Sequence, residues 1–210
     1  MTIFTHTLTR RPVFDMRDSA RVPTPTPPKP RYAADHLAAR PGANTLAVGR
    51  IDSAIDFYSF ADGRLLKTLR AFDDWWWLRA MAFTPDGKYL ITASNTGDGR
   101  GKLDKATGQW TDRRNTEPMK VWDAETLKLV KEIPVLGDTP NSIDVSPDGK
   151  KMAVGTVRGR VAIFDVGSWR EETEVGQFGS AAIVRYSPDG NYLAVVPTGS
   201  KYVIVLKNRK

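Results

Sequence analysis

The chain has 210 residues, 40% of them hydrophobic and 26% charged, with a formal net charge of +7; this composition sustains a buried core and is not that of a disordered chain. Cysteine is absent and there are two histidines, which excludes disulfides, thiolate nucleophiles and Cys-ligated metal and leaves too few imidazoles for a multi-histidine centre. No apolar run approaches the roughly 18 residues a bilayer span needs, and Met1–Leu8 is threonine-rich without the apolar centre of a secretory signal.

Residues 1–31 read as an extended, basic, Pro-rich arm. Arg10, Arg11, Arg17, Arg21, Lys29 and Arg31 face only Asp15 and Asp18, so the arm holds +4 of the net charge and the remaining 179 residues +3. A basic arm fits an acidic partner, whether nucleic acid, lipid headgroup or protein, or else is a solvated tail. Val22–Pro28 reads Val-Pro-Thr-Pro-Thr-Pro-Pro, and prolines cannot donate to a strand ladder. Thr2–Thr9 alternates apolar residues with threonines and is the one strand-like piece upstream. Ile3, Phe4 and Leu8, with Arg10, Arg11 and Phe14 behind them, are the candidate docking side chains of the arm. Between them and the rest of the chain, Arg10–Arg31 in polyproline geometry would reach roughly 65 Å.

From residue 32 onward the chain repeats. Thr84-Pro85-Asp86-Gly87, Ser146-Pro147-Asp148-Gly149 and Ser187-Pro188-Asp189-Gly190 are copies of one turn, with Arg40-Pro41-Gly42 a worn fourth. Two and four residues before each proline stand apolar residues (Ala39 and Leu37, Phe83 and Met81, Val145 and Ile143, Tyr186 and Val184), a period of two that marks one buried strand face. Five residues after it stand Leu46, Leu90, Met152 and Leu193, each opening a second strand. Seventeen residues after it lie Tyr58, Phe164 and Val205 in a third apolar stretch, matched in the second repeat by Trp122 across a twenty-residue insertion. Arg64–Leu69, Lys128–Ile133 and Arg170–Val175 form a fourth strand in three copies. The units fall at about 32–70, 77–134, 139–176 and 180–210, with the insertion at about 95–118.

Four antiparallel strands every ~40–45 residues is the period of a propeller blade. The Ser-Pro-Asp-Gly turn, the strand after it, and Val121-Trp122-Asp123 or Ile163-Phe164-Asp165 resemble the WD-repeat β-propeller family over about residues 33–210. The resemblance implies an all-β propeller of four-stranded blades, about four in this chain, serving as a rigid platform for partner proteins, peptides or nucleic acids. It also implies that Asp123 and Asp165 are structural aspartates. The Gly-His pair expected before the first strand is missing, Asp73-Asp74 standing near its place in the second repeat, and His36 reads as a strand-edge residue without catalytic consequence. The last repeat runs through Tyr202–Leu206 to Lys210 without a fourth strand. In the family the outer strand of a closing blade often comes from the other terminus, which covers an exposed edge; residues 2–9 are the candidate for this role, on their own chain or on a neighbour.

Asp73-Asp74-Trp75-Trp76-Trp77 precedes the second repeat, and in a propeller this connection emerges on the same face as the insertion. Trp75, Trp76, Trp110, Arg100, Arg113 and Arg114 are therefore candidate partner-binding residues. Trp77 matches an aromatic position of the family and is expected in the core, with Trp75 or Trp76 exposed unless a partner covers it. The insertion's charge is only +1, a weak footing for nucleic acid, although Trp and Arg together suit stacking on unpaired bases.

Catalysis finds little support. His6 and His36 build no Ser/His/Asp set, and Gly97-Asp98-Gly99-Arg100-Gly101 has neither the spacing nor the strand-to-helix context of a phosphate loop. Asp52, Asp56 and Asp144 are scattered acids without metal-site spacing. The favoured expectation is a non-catalytic interaction or structural subunit of a larger assembly, without cofactor, binding other protein subunits through its arm and the open edge of its last blade. Its expected location is the cytoplasm, or a large intracellular or virion-type particle. The alternatives are a small propeller hydrolase or lactonase with a carboxylate-bound metal and a basic nucleic-acid-binding module, the latter with steep salt dependence.

Overall fold

A computed structural model describes residues 34–72, 77–94, 102–103, 110–111, 118–134 and 138–207. The regular structure among them is entirely β. Blade 1 is β1 (Ala34–Ala39), β2 (Thr45–Arg50), β3 (Ala54–Ser59) and β4 (Leu65–Arg70), hydrogen-bonded in that order. Blade 2 comprises β5 (Leu78–Phe83), β6 (Tyr89–Ser94), β9 (Met119–Asp123) and β10 (Leu129–Ile133); β6 pairs directly with β9 across the insertion. Within that insertion lies a two-residue ladder of β7 (Lys102–Leu103) with β8 (Trp110–Thr111). Blade 3 is β11 (Pro140–Val145), β12 (Lys151–Thr156), β13 (Arg160–Asp165) and β14 (Arg170–Gln177). Blade 4 has β15 (Ala182–Tyr186), β16 (Tyr192–Pro197) and β17 (Ile204–Lys207), with no fourth strand among the described residues.

The repeated turn explains why each blade starts with a tight hairpin. In blade 2 the Thr84 hydroxyl donates to Asp86 Oδ1 at 2.5 Å and accepts from Tyr89 N–H at 3.0 Å, while Lys88 N–H donates to the same carboxylate. Ser146 with Asp148 and Ser187 with Asp189 repeat the arrangement. Gly87 takes φ +68, a left-handed conformation that a side chain resists. These donors hold the turn carboxylates below the usual range, Asp189 at about 2 through the Ser187 hydroxyl and then the Asn191 backbone N–H.

The core lies between blades. Ile55, Phe57 and Leu69 of blade 1 meet Leu78, Phe83, Leu90 and Trp122 of blade 2. Ile91, Met119 and Val121 of blade 2 meet Ile143, Met152 and Phe164 of blade 3, and Val161 of blade 3 meets Val184, Leu193 and Val195 of blade 4. Inner strands pack in succession, β1 on β5, β5 on β11 and β11 on β15, while β1 and β15 do not pack as neighbours. The four blades form an open arc.

One reading from spacing needs correction. Leu193 pairs with Leu206, as Met152 pairs with Phe164 and Leu46 with Tyr58. Leu206, not Val205, is thus the counterpart of Phe164, because the β16–β17 connection is one residue longer than in blades 1 and 3. Such a slip moves a side chain to the opposite face. Val205 is 61% exposed.

Candidate interaction surface

Successive strands alternate direction, so the β4–β5 connection and the β6–β9 insertion leave the arc at the same end. Phe72, just after β4, is fully buried there. Lys120, at the start of β9, anchors this end: its Nζ donates to the Ala71 carbonyl at 3.2 Å and lies 4.6 Å from the centroid of the Phe72 ring, a cation–π distance. Trp77 stands on the same rim and is 58% exposed. The expectation that it lies in the core is therefore wrong. Its place is taken by Leu78, which enters the blade 1–blade 2 core one residue later.

Of the other candidates, Trp110 lies in β8, opposite Leu103. Trp75, Trp76, Arg100, Arg113 and Arg114 lie outside the described residues, as do Ile3, Phe4, Leu8, Arg10, Arg11 and Phe14 of the arm.

The scattered acids have local partners. Arg50 binds Asp52 through Nε and Nη2, at 3.0 and 2.6 Å, and reaches Asp56 at 3.2 Å; Asp56 also accepts from the Thr68 hydroxyl at 2.7 Å. Burial and then the Asp56 charge push the neighbouring Tyr58 phenol up. Asp144, two blades away, accepts the Tyr186 backbone N–H at 2.6 Å, and burial pushes its carboxyl up. Among the described residues no three His, Asp or Glu side chains converge as a metal site.

His36 has a structural role: its Nε2 donates to the Leu78 carbonyl at 2.9 Å, tying β1 to the next blade. Asp123 and Asp165 cap the turns to the outer strands, each accepting the backbone N–H and hydroxyl of the residue three further on, Thr126 and Ser168. Trp122 donates from its indole to the buried Thr92 hydroxyl at 2.9 Å.

A feature missed by the sequence reading is a bulge in three inner strands, between Ala34 and His36, Leu78 and Ala80, and Pro140 and Ser142. The extruded residues are Asp35, Arg79 and Asn141, polar and each six positions before the turn proline; that shared offset is the signal that would have found them. Bulges re-aim side chains at the edge of a site. Arg79 Nε is buried with no hydrogen-bond partner among the described residues.

Comparison with known proteins agrees with this architecture. The WD domain, G-beta repeat family matches residues 63–103, from β4 through β5 and β6 into the insertion. WD repeat-containing protein SL1-17 of Schistosoma mansoni is 27% identical over 150 residues, 70% of this chain and 42% of that protein. WD repeat-containing protein 3 of Mus musculus is 27% identical over 132 residues, 60% of this chain and 12% of that protein. The chain thus spans less than half the length of either relative. In fold it is similar to the computationally designed Ika4 protein, with a TM-score of 0.62 at 13% identity, covering 84% of this chain and 92% of that one. It is also similar to a chain of Kuenenia stuttgartiensis hydrazine synthase, with a TM-score of 0.62 at 22% identity over 82% of this chain and 45% of the other. Its repeated turns, its blades and these relatives support a WD-repeat family for the chain.

Proposed function

We propose that this chain is a non-catalytic interaction subunit of a larger assembly, docking protein partners through the end of the arc that carries Trp77 and the β6–β9 insertion, and through its basic arm. WD-repeat proteins generally mediate protein–protein interaction and are typically non-enzymatic. The observation that carries the reading is the exposed indole of Trp77, on a rim made rigid by Phe72 and Lys120. Tryptophan and arginine on a fixed frame are the usual energetic centres of protein interfaces, because they desolvate a large area at small cost in side-chain entropy.

The test is affinity isolation with the full chain beside a Trp75→Ala, Trp76→Ala, Trp77→Ala triple variant and an Arg113→Ala, Arg114→Ala variant. The triple variant should keep its β circular dichroism and Tm while losing the proteins that the parent retains at physiological salt. A variant that retains the same proteins with undiminished yield overturns the reading. Retention only of nucleic acid, falling steeply with salt, would replace it with the nucleic-acid alternative.

A further inference from the structure

The two ends of the arc are both faces of the kind that other blades bury. Side chains paired across strands share a face, and the pairing places Leu37, Ala39, Leu46, Val48 and Tyr58 together on the outer face of blade 1. They correspond one for one, by distance from the turn proline, to Ile143, Val145, Met152, Val154 and Phe164, which are buried against blade 2. Blade 1 has no such neighbour among the described residues, and Leu37 is 69% exposed. At the other end, Ile183, Val196, Ala194 and Val205 share the outer face of blade 4. Their counterparts on blade 3 are Ser142, Gly155, Ala153 and Ile163, on the face turned to blade 4.

We propose that two copies of this chain join end to end, the outer face of blade 1 in each seated on the outer face of blade 4 in the other, closing an eight-bladed ring. The outer faces are the two halves of one kind of junction, and the arc keeps them apart within a single chain. Eight blades, four from each copy, lie within the range of about four to eight that such rings adopt.

The tightest point of the junction between blades 1 and 2 bears on this union. A Cβ on Gly49 would lie 2.2 Å from Leu78 Cδ2, and one on Gly155 would lie 2.5 Å from the Ala182 carbonyl oxygen. Inside the chain, therefore, a small residue (Gly49, Ala93 or Gly155) faces the start of the next inner strand. Blade 4 has Val196 at that position, and β1 begins with Ala34 where β5 begins with Leu78. Val196 facing Ala34 is the reverse of Gly49 facing Leu78 between blades 1 and 2. Polar groups do not obstruct the union: Arg50, Asp52 and Asp56 pair with one another on blade 1, and Arg185 folds back to donate to the Ser142 hydroxyl and the Val184 carbonyl.

Light scattering on the full chain tests this, together with Leu37→Asp and Val205→Asp, both at positions already exposed in one copy. The parent should run at twice 23.3 kDa and each variant at half the parent's mass with unchanged β circular dichroism. An equimolar mixture of the two variants should regain a dimer, since one of the two junctions is then formed by unmutated faces. A monomeric parent overturns the proposal, as does a concentration-dependent series of larger species, the mark of a junction that does not close. A dimer that survives Val205→Asp but not Leu37→Asp overturns it as well, because that pattern belongs to pairing of blade 1 faces with each other.

Discussion

Asp144 carries a carboxylate into the seam between blades 3 and 4, where the Tyr186 backbone N–H reaches it at 2.6 Å. Burial raises its pKa, partly offset by that hydrogen bond and by Arg185 nearby. A carboxyl whose folded pKa is raised is more stable in the fold when protonated, so its ionised form works against folding at neutral pH and the conflict fades as pH falls. Asp144→Asn keeps an acceptor for Tyr186 N–H without the charge, and is expected to raise Tm at pH 7 and to leave it unchanged near pH 4. Asp144→Ala leaves a buried N–H unpaired and should cost about 1–3 kcal/mol at either pH. Thermal melts of both variants at the two pH values check the ordering. A lower Tm for Asp144→Asn at pH 7 would mean that the charge itself holds the seam.

At the scale of elements, the blades are stacked through small residues on their second strands. Gly155 on β12 leaves room for the Ala182 carbonyl of β15, and a Cβ there would come within 2.5 Å of that oxygen, a backbone atom that cannot swing aside. Gly155→Ala should cost about 1–3 kcal/mol through forced separation of the strands. Guanidinium titration should show the midpoint falling, with the loss of far-UV β signal otherwise unchanged; a midpoint equal to that of the parent would show that blades 3 and 4 slide apart freely. Much of this layer was legible in the sequence. Ser146-Pro147-Asp148-Gly149 and its copies fix both ends of a hairpin by local chemistry alone, and the period-two residues before each proline name the buried face. What stayed hidden depends on pairing partners. The one-residue slip that exchanges Val205 for Leu206 lies in a connection with no turn signature, and the bulges at Asp35, Arg79 and Asn141 show only once β1, β5 and β11 are laid against their neighbours. Trp77 was misplaced for a similar reason: an aromatic at the edge of an apolar strand reads as core until Leu78 is seen to fill the site.

Across the whole molecule, the packing among the described strands runs from each blade to its neighbours, so stability adds up along the arc as in a repeat array. The seams are unequal. Among the described residues, eleven buried ones hold blades 1 and 2 together and twelve hold blades 2 and 3, against six for blades 3 and 4. Blade 4 also leaves the outer edge of β17 without a strand among the described residues, and unpaired edge groups are the first to meet water. Local opening draws on the parts of a fold with the fewest buried contacts, so the arc should open from blade 4 inward. In native-state hydrogen exchange the amides of β16 and β17 should exchange at lower denaturant than those of β12 and β13, with β6 and β9 later still. Exchange of all of them together would show instead that the open arc unfolds as one cooperative unit, and that a seam of six residues couples blades as firmly as one of twelve.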